Sequence, residues 1–566
     1  MTASRCVSPV AILYNFARCS LGMSVDLPNV TRTLRAMNSN STHTNTRRSR
    51  WLMPHRRTAV RSTIVVAMMA LTVLSSIGQT KGECLTCHAE RSLTMEKKGA
   101  HPDSKVSQHH IAATCGQCHG DIREQYERSI HGKALERGVI ASATCTDCHG
   151  EHNILSPHDP RSPVAPKNVS AQVCSPCHAS VKLTEKYGLA SDRFKSFADS
   201  YHGLASRAGA VEVANCASCH GVHDIQPSSD PTSRIHPANL AATCGLCHPG
   251  ANENFTKGKV HVIATASDDT ILYYIAMAYI ALIVVTIGGM VIHNVLDFIK
   301  KAKRELMYRR GVLPRPHHEL RLYMRMTLDE RIQHGILAFS FMLLVVTGFA
   351  LRFSDAWWVT PIRNLSPIMF DLCSLFHRIG GVVLIGVSLY HVYYIIAVPR
   401  GKQLFRDMIP VRKDLRDFVG AFRYYLGFSN EKPKFGRFSY IEKAEYWALI
   451  WGTVVMGATG IILWFDNTFM ALLTKLGWDI ARTIHYYEAW LTTLAILVWH
   501  FYFVIFNPNC YPLNLAFWKG TVTEEEMAEE HPLELEEIKR REMMQRVTKE
   551  RTIEEEPVQS SSGAQQ

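Results

Sequence analysis

Long runs of apolar residues set the second half of this sequence apart from the first. They lie at about 270–293, 333–352, 375–398, 444–465 and 484–506. Each run has the roughly 20 residues that an α-helix needs to cross the hydrocarbon core of a bilayer. The pattern therefore predicts five membrane-spanning helices. The first helix (268–296) follows a polar region, and the other four form a bundle at 325–512.

The segments between these runs predict how the chain is oriented. KKAKRELMYRR (300–310) and PRGKQLFRDMIPVRKDLR (399–416) are strongly basic. Basic loops remain on the cytoplasmic side of a membrane. We therefore expect the region before the first span to lie outside the cytoplasm. The tail at 513–566 is highly charged, and we expect it to be a solvated cytoplasmic segment.

The amino-terminal residues are typical of a targeting segment. An N-terminal extension that ends in a basic n-region occupies residues 1–62, and an apolar stretch at 63–80 follows it. This order matches the n-region and h-region of a secretory signal, and an uncleaved anchor is the alternative. Either one exports the segment that follows. The expected location is the bacterial inner membrane, with residues 81–265 in the periplasm.

Cysteine and histidine are concentrated in the exported segment. It holds 12 of the 16 cysteines, and 18 of the 27 histidines fall between positions 43 and 261. All 12 cysteines belong to six copies of Cys-x-x-Cys-His. The copies are Cys84, Cys87 and His88; Cys115, Cys118 and His119; Cys145, Cys148 and His149; Cys174, Cys177 and His178; Cys216, Cys219 and His220; and Cys244, Cys247 and His248.

This motif is the attachment signature of haem c. The two thiols bond covalently to the haem, and the adjacent histidine binds the iron as its proximal ligand. Zinc sites also use Cys-x-x-Cys, but they usually combine two separated pairs. Six copies, each with its own histidine, therefore predict six haems c.

Six further histidines occur in recurring patterns and are the expected distal ligands. Four of them begin the pattern His-x-x-Ala, three of these with a serine two positions earlier, and the other two end the pattern Cys-His-Gly-x-His. The set is His109, His131, His152, His202, His223 and His261, with His110 open as an alternative to His109.

A larger duplication is also visible, because residues 129–178 align with 200–248. Such repeats suggest tandem modules. So few residues per haem leave little chain for an apolar core, so we expect short helices and loops around the haems. The expected fold class is mainly α: a multihaem domain at 81–265 followed by about five transmembrane helices.

Five histidines within the apolar runs are candidate ligands of two further haems. Ionisable residues inside spans are costly and usually functional. His377 and His391 are 14 residues apart, and His485 and His500 are 15 apart. On an α-helix these intervals correspond to roughly 21–22 Å along nearly one face. We expect His377 and His485 to hold an outer haem b, and His500 an inner one, with either His334 or His391.

Residues 325–510 resemble the b-type cytochrome subunits of formate dehydrogenases and nickel-iron hydrogenases. The matching pieces are RIQH (331–334), TG (347–348), HRIGG (377–381), YH (390–391), EKAEYW (442–447) and WHFYF (499–503). The resemblance implies two haems b and a quinone site near the inner one, and it favours His334. His391 also resembles the inner ligand of bc-type cytochromes b, so it stays open.

The first half resembles multihaem c proteins, and the whole chain resembles membrane-bound cytochromes bc that exchange electrons with menaquinone. We expect electron transfer between the quinone pool and a periplasmic cytochrome or oxidoreductase, through two haems b and six haems c. The class would be a quinol:cytochrome c-type oxidoreductase or a subunit of one, and the quinone-site candidates are Glu442, Glu445 and Tyr446.

One alternative is an electron-transfer and anchor subunit of a larger respiratory complex with its catalytic site on another chain. Another is a terminal reductase, which would need a haem c with an open position. No feature of the sequence indicates a nucleic-acid partner. The sequence leaves the direction of electron flow and the haem potentials open.

Overall fold

The computed structural model describes residues 107–263, 270–314, 321–366 and 368–555. The apolar stretch at 63–80 and the first attachment motif, Cys84, Cys87 and His88, lie outside the described residues. The described part is mainly α-helical, as expected, with a single pair of short strands.

Residues 107–263 form short helices joined by loops. Their buried apolar side chains are few, and several of them are alanines. The helices are α1 Gln108–Cys115, α2 Gly120–Arg128, α3 Ile130–Glu136, α4 Cys145–His149, α5 Ser175–His178, α6 Val181–Lys186, α7 Arg193–Asp199, α8 Tyr201–Arg207, α9 Cys216–His220, α10 Leu240–Gly245 and α11 Glu253–Thr256. A π-helical segment, Val169–Cys174, and a 3₁₀ turn, Pro237–Asn239, complete this region.

Five helices of the second half are long and apolar enough to cross a membrane, which confirms the predicted number. They are α12 Thr270–Arg309, α13 Leu328–Arg352, α15 Met369–Ala397, α18 Tyr440–Trp464 and α19 Asp466–Ala495. Two π-helical segments, Ile496–His500 and Tyr502–Phe506, continue α19. Shorter helices connect the spans: α14 Thr360–Arg363, α16 Pro399–Met408, α17 Arg412–Tyr425 and α20 Ala516–Lys519.

Polar side chains at the helix ends fix where two spans begin. Thr327 and Glu330 form a capping box at the start of α13, and Ser439 and Glu442 form one at the start of α18. Each box satisfies backbone N–H groups that have no partner inside the helix. The last long helix bends at Thr474, which has φ 71° and ψ 159°. The bend separates residues 466–473 from the part of the helix that carries His485.

The tail packs against the bundle more closely than expected. Strand β1 (Leu322–Met324) pairs antiparallel with β2 (Thr521–Thr523), and helices α21 (Glu524–Glu530) and α22 (Pro532–Glu555) follow. Met527 and Leu535 are buried in one apolar cluster with Tyr323 and Val522. The expectation of a solvated segment is therefore wrong for the first part of the tail.

Candidate functional site

The Ser-x-His-Gly pattern has a local structural cause. Ser129 caps α3, because its Oγ accepts a hydrogen bond from the backbone N–H of Gly132 (3.1 Å) and donates one to the backbone oxygen of Tyr126 (2.6 Å). A Cβ atom at Gly132 would lie only 2.2 Å from the same Tyr126 oxygen. Serine starts the helix and glycine allows close contact with α2, so His131 is held in the first turn.

The Cys-x-x-Cys-His motifs at 145–149 and 216–220 each form one short helix, α4 and α9. The first cysteine and the histidine are four positions apart, so they lie on the same face of a helix. A capping box starts α4, in which the Asp147 carboxylate accepts from the backbone N–H of Thr144. None of the ten motif cysteines in the described residues forms a disulfide.

The fold brings histidines of residues 107–263 together in pairs. Each pair combines a histidine of an attachment motif with one of the expected distal histidines. The distances between ring centroids are 6.3 Å for His131 and His178, 6.2 Å for His149 and His223, 6.0 Å for His202 and His248, and 6.4 Å for His220 and His261.

The pairing follows the internal duplication. His131 with His178 and His202 with His248 occupy equivalent positions within their modules. His149 lies opposite His223, which belongs to the next module. This pair therefore joins the two modules to each other.

The remaining expected distal histidines are not paired in this way. Among the described residues, the expected distal ligand His152 has no histidine ring at such a distance, and neither does His119 of the second attachment motif. His109 and His110 are both exposed, but only His110 is held by a neighbour, because its Nδ1 lies 2.9 Å from Ser107 Oγ.

Burial keeps several of the paired histidines uncharged. Loss of solvent lowers the pKa of His131 and that of His261 to about 4. It also lowers the pKa of His178, His202 and His220. These rings are therefore neutral at pH 7, which is the form that binds a metal ion.

Two more histidine pairs lie between the membrane helices. His377 and His485 have ring centroids 6.4 Å apart, and His334 and His500 have centroids 6.3 Å apart. His391 is held differently, because its Nδ1 lies 2.9 Å from Gln333 Oε1 and its Nε2 lies 3.0 Å from the Tyr446 hydroxyl. Of the two residues open as partners of His500, the structure thus places His334 opposite it.

A repeated Thr-Gly pair supports His377 and His485. Thr347 Oγ1 donates to the backbone oxygen of Leu343 and lies 2.9 Å from His377 Nδ1. Thr459 has the same relation to Val455 and to His485 Nδ1, again at 2.9 Å. Since each hydroxyl proton is used on a carbonyl, the hydroxyl accepts from Nδ1–H and leaves Nε2 without a proton.

The glycine of each pair makes room for the imidazole. A Cβ atom at Gly348 would lie 3.0 Å from His377 Cε1, and one at Gly460 would lie 3.5 Å from His485 Cε1. The resemblance indicated only the first Thr-Gly pair. Thr459 and Gly460 form a second copy of this pair, and they precede His485 much as Thr347 and Gly348 precede His377. This second copy is the sequence signal that could have revealed Thr459.

The spacing of the six pairs fits an iron atom bound between two imidazoles. Roughly 2 Å for each metal–nitrogen bond and roughly 1 Å from each nitrogen to its ring centre put the centroids about 6 Å apart. All six measured distances fall between 6.0 and 6.4 Å. The four pairs in residues 107–263 have the thiols of attachment motifs beside them, so these donors suit haem c. The two pairs between the membrane helices have no attachment motif, so these donors suit haem b.

Comparisons with known proteins agree with this division. A family described as prokaryotic cytochrome b561 matches residues 325–516, and one described as outer membrane cytochrome MtrC/MtrF-like, domains II/IV, matches 137–272. The chain joins a multihaem cytochrome c region to a cytochrome b region.

Individual relatives match one region or the other. The cytochrome b556(fdo) subunit of formate dehydrogenase from Escherichia coli is 26% identical over 205 residues, which is 35% of this chain and 81% of the relative. The cytochrome b556 subunit of formate dehydrogenase from Haemophilus influenzae is 26% identical over 34% of this chain and 70% of the relative. The cytochrome c-type protein NrfB from Haemophilus influenzae is 27% identical over 29% of this chain and 63% of the relative.

The matches and the five apolar helices together establish a multi-pass membrane protein of electron transport with haem c and haem b as cofactors. The paired histidines of the two regions are therefore the candidate iron ligands.

The three quinone-site candidates of the cytochrome b region have different surroundings. Glu442 caps α18 and forms a salt bridge with Arg325 (2.8 Å). Glu445 lies beside the inner histidine pair, because its Oε2 is 3.4 Å from His500 Nδ1 and its Oε1 is buried without a hydrogen-bond partner. Tyr446 contacts His391. Glu445 and Tyr446 thus face groups that could exchange protons, and Glu442 is engaged in structure.

Proposed function

We propose that this protein transfers electrons between a membrane quinone and redox partners on the far side of the membrane, through two haems b and six haems c. The observation that supports this best is the set of six facing histidine pairs. They occur in both regions, at the spacing of a single iron atom. Haem bound at these sites would supply reversible one-electron chemistry.

In this proposal the chain supplies ligands and fixes their positions. The outer haem b takes His377 and His485, and the inner one takes His334 and His500. Four haems c take the pairs seen in the cytochrome c region. His223 pairs with an attachment-motif histidine of the module before its own, His149. His152 is the equivalent of His223 in the first module, so by the same relation it would bind the haem of an attachment motif that precedes that module. His110 is preferred to His109, since its Nδ1 is held in the same way as those of His377, His485 and His261.

The orientation proposed for the chain rests on its charges. The basic segments at 300–310 and 399–416 lie at the same end of the spans as the inner histidine pair. Basic segments remain on the cytoplasmic side. The cytochrome c region would then face the periplasm of a bacterial inner membrane. Glu445 and Tyr446 would exchange protons with a quinone close to His500.

Haem content tests the proposal directly. A pyridine haemochrome assay with intact mass should give six covalent haems and two extractable haems per chain. Four covalent haems, or no extractable haem, would contradict it. Oxidation of a menaquinol analogue by the purified chain should reduce both kinds of haem, and the substitution E445Q should slow that step more than E442Q.

A second candidate function is that of a subunit in a larger respiratory complex. It is favoured because relatives of the cytochrome b region are themselves named as formate dehydrogenase subunits. Purification under mild detergent should then recover a separate dehydrogenase or reductase chain with the cytochrome. Recovery of the chain alone, with full quinol oxidation, would support the first function instead.

A further inference from the structure

The cytochrome c region touches the cytochrome b region at one particular histidine pair. Residues 466–473, at the start of the last long helix, lie against the motif that contains His248. The side-chain oxygen Oδ1 of Asn467 is 2.7 Å from His248 Nδ1. An amide oxygen can only accept a hydrogen bond. His248 therefore donates through Nδ1–H, and its Nε2 has no proton.

The second histidine of the same pair is also tied to the cytochrome b region. His202 follows Asp199, whose backbone oxygen accepts from Arg482 (3.1 Å) and whose carboxylate pairs with Arg352 (3.2 Å). Arg482 is one helical turn before His485. Asp466 and Lys475 are also close enough to act electrostatically on His202.

Further contacts keep the two surfaces together around this pair. Asn254 donates to the backbone oxygen of Ala471 (3.2 Å). The backbone N–H of Leu476 donates to the backbone oxygen of Lys257 (3.3 Å). Arg207, at the end of α8, forms a salt bridge with Asp355 (2.9 Å). These bonds hold the interface but touch no candidate iron ligand.

The duplication offers an internal comparison. His178 is the equivalent of His248 in the first module. In the part of the chain that the structure describes, no side chain is hydrogen bonded to His178. The hydrogen bond that His248 donates to Asn467 therefore distinguishes two sites that are otherwise built alike.

We propose that Asn467 is a positioning residue that ties the His202–His248 site to the cytochrome b region and sets its reduction potential. The proposal rests on the function proposed above, and it makes this site the junction between the two sets of haems. A hydrogen-bond acceptor on the far ring nitrogen raises the basicity of a histidine ligand. A more basic ligand favours the oxidised iron, so the bond lowers the potential of this one haem.

Three variants of the full-length protein in detergent test the proposal. N467L keeps the size of the side chain but removes the acceptor, and N467D provides a stronger one. N254L is the control, because it removes a bond of the interface without touching His248. Each variant is first checked for covalent haem content, and its haem c potentials are then measured by spectroelectrochemical titration.

We expect N467L to make one of the haem c components easier to reduce, by about tenfold in its redox equilibrium, which is ~59 mV for one electron. N467D should shift the same component the opposite way, and N254L should leave it unchanged. Intact haem content with unchanged potentials in N467L, or an equal shift in N254L, would overturn the inference alone. A protein without covalent haem would overturn the proposed function as well.

Discussion

At the scale of single residues, the question is which histidines would hold the proposed inner haem b. His334 faces His500, whereas both ring nitrogens of His391 already have protein partners, Gln333 and Tyr446. A ligand must keep one ring nitrogen free for the iron. We therefore propose that His391 belongs to the polar surroundings of the site and does not bind the iron.

Substitution of the two histidines separates these roles. H334A should lose one of the two extractable haems, because the iron then lacks an axial ligand. H391A should keep both haems and instead change the rate of quinol oxidation. The measurement is haem b per chain, and loss of a haem in H391A with retention in H334A would reverse the assignment.

Thr459 gives a second prediction at this scale. T459V keeps the shape of the side chain but leaves His485 Nδ1 without its acceptor. We expect roughly 10–100-fold weaker retention of the outer haem b, the usual effect of losing such a partner. T492V is a suitable control, since Thr492 is on the same helix as His485 and its hydroxyl donates only to helix backbone oxygens. Equal haem retention in both variants would contradict a supporting role for Thr459.

At the scale of structural elements, short motifs act by shaping the start of a helix. Ser200 and Gly203 repeat the arrangement at Ser129 and Gly132: the Ser200 hydroxyl donates to the backbone oxygen of Phe197 in the preceding helix and accepts from the backbone N–H of Gly203. A Cβ atom at Gly203 would lie 2.0 Å from the backbone oxygen of Phe197. The position of His202 thus depends on close contact between α7 and α8.

The variant G203A tests this dependence. The added methyl group should separate the two helices and cost roughly 1–3 kcal/mol of stability. It should also move His202, so that one haem c becomes high-spin in the absorption and EPR spectra. G120A provides the control, because a Cβ atom there meets no atom within 4 Å. A wholly low-spin spectrum in G203A would count against this account of the motif.

At the scale of the whole molecule, the tail is fastened to the first span by ion pairs around the buried side chain of Lys301. Lys301 lies 3.2 Å from Asp297 and 3.0 Å from Glu530, and Lys432 also reaches Glu530 (3.2 Å). Tyr502, from the last π-helical segment, donates to Asp297 (2.7 Å). Basic residues near the end of α12 form ion pairs with acidic residues of the tail. These ion pairs stabilise the last turns of α12, which ends at Arg309.

Removal of the Glu530 charge should loosen this attachment. Burial alone would raise the pKa of Glu530, but Lys301 and Lys432 outweigh it and hold that pKa well below its usual range. The stabilising effect is therefore complete at neutral pH and is lost as the pH falls below the ordinary Glu value of about 4.3. E530Q should cost roughly 2–3 kcal/mol.

Thermal unfolding of the detergent-solubilised protein measures this effect at pH 7 and at lower pH. The control is E536Q, because Glu536 is mostly exposed in its pair with Lys434. E530Q should unfold at a lower temperature than E536Q at pH 7, and the difference should shrink in acid. Equal unfolding temperatures at pH 7 would contradict the anchoring role.

The sequence by itself determined the local chemistry of this protein. In the motifs at 145–149 and 216–220, Cys-x-x-Cys-His places two thiols and an imidazole on one short helix, and about 20 consecutive apolar residues specify a span without help from the rest of the chain. Tertiary structure decided which histidines meet. His149 faces His223 of the next module, His500 faces His334 rather than His391, and Asn467 reaches His248 across more than 200 positions of the chain. These choices depend on how helices pack, and packing distances between remote segments are not encoded in any local pattern.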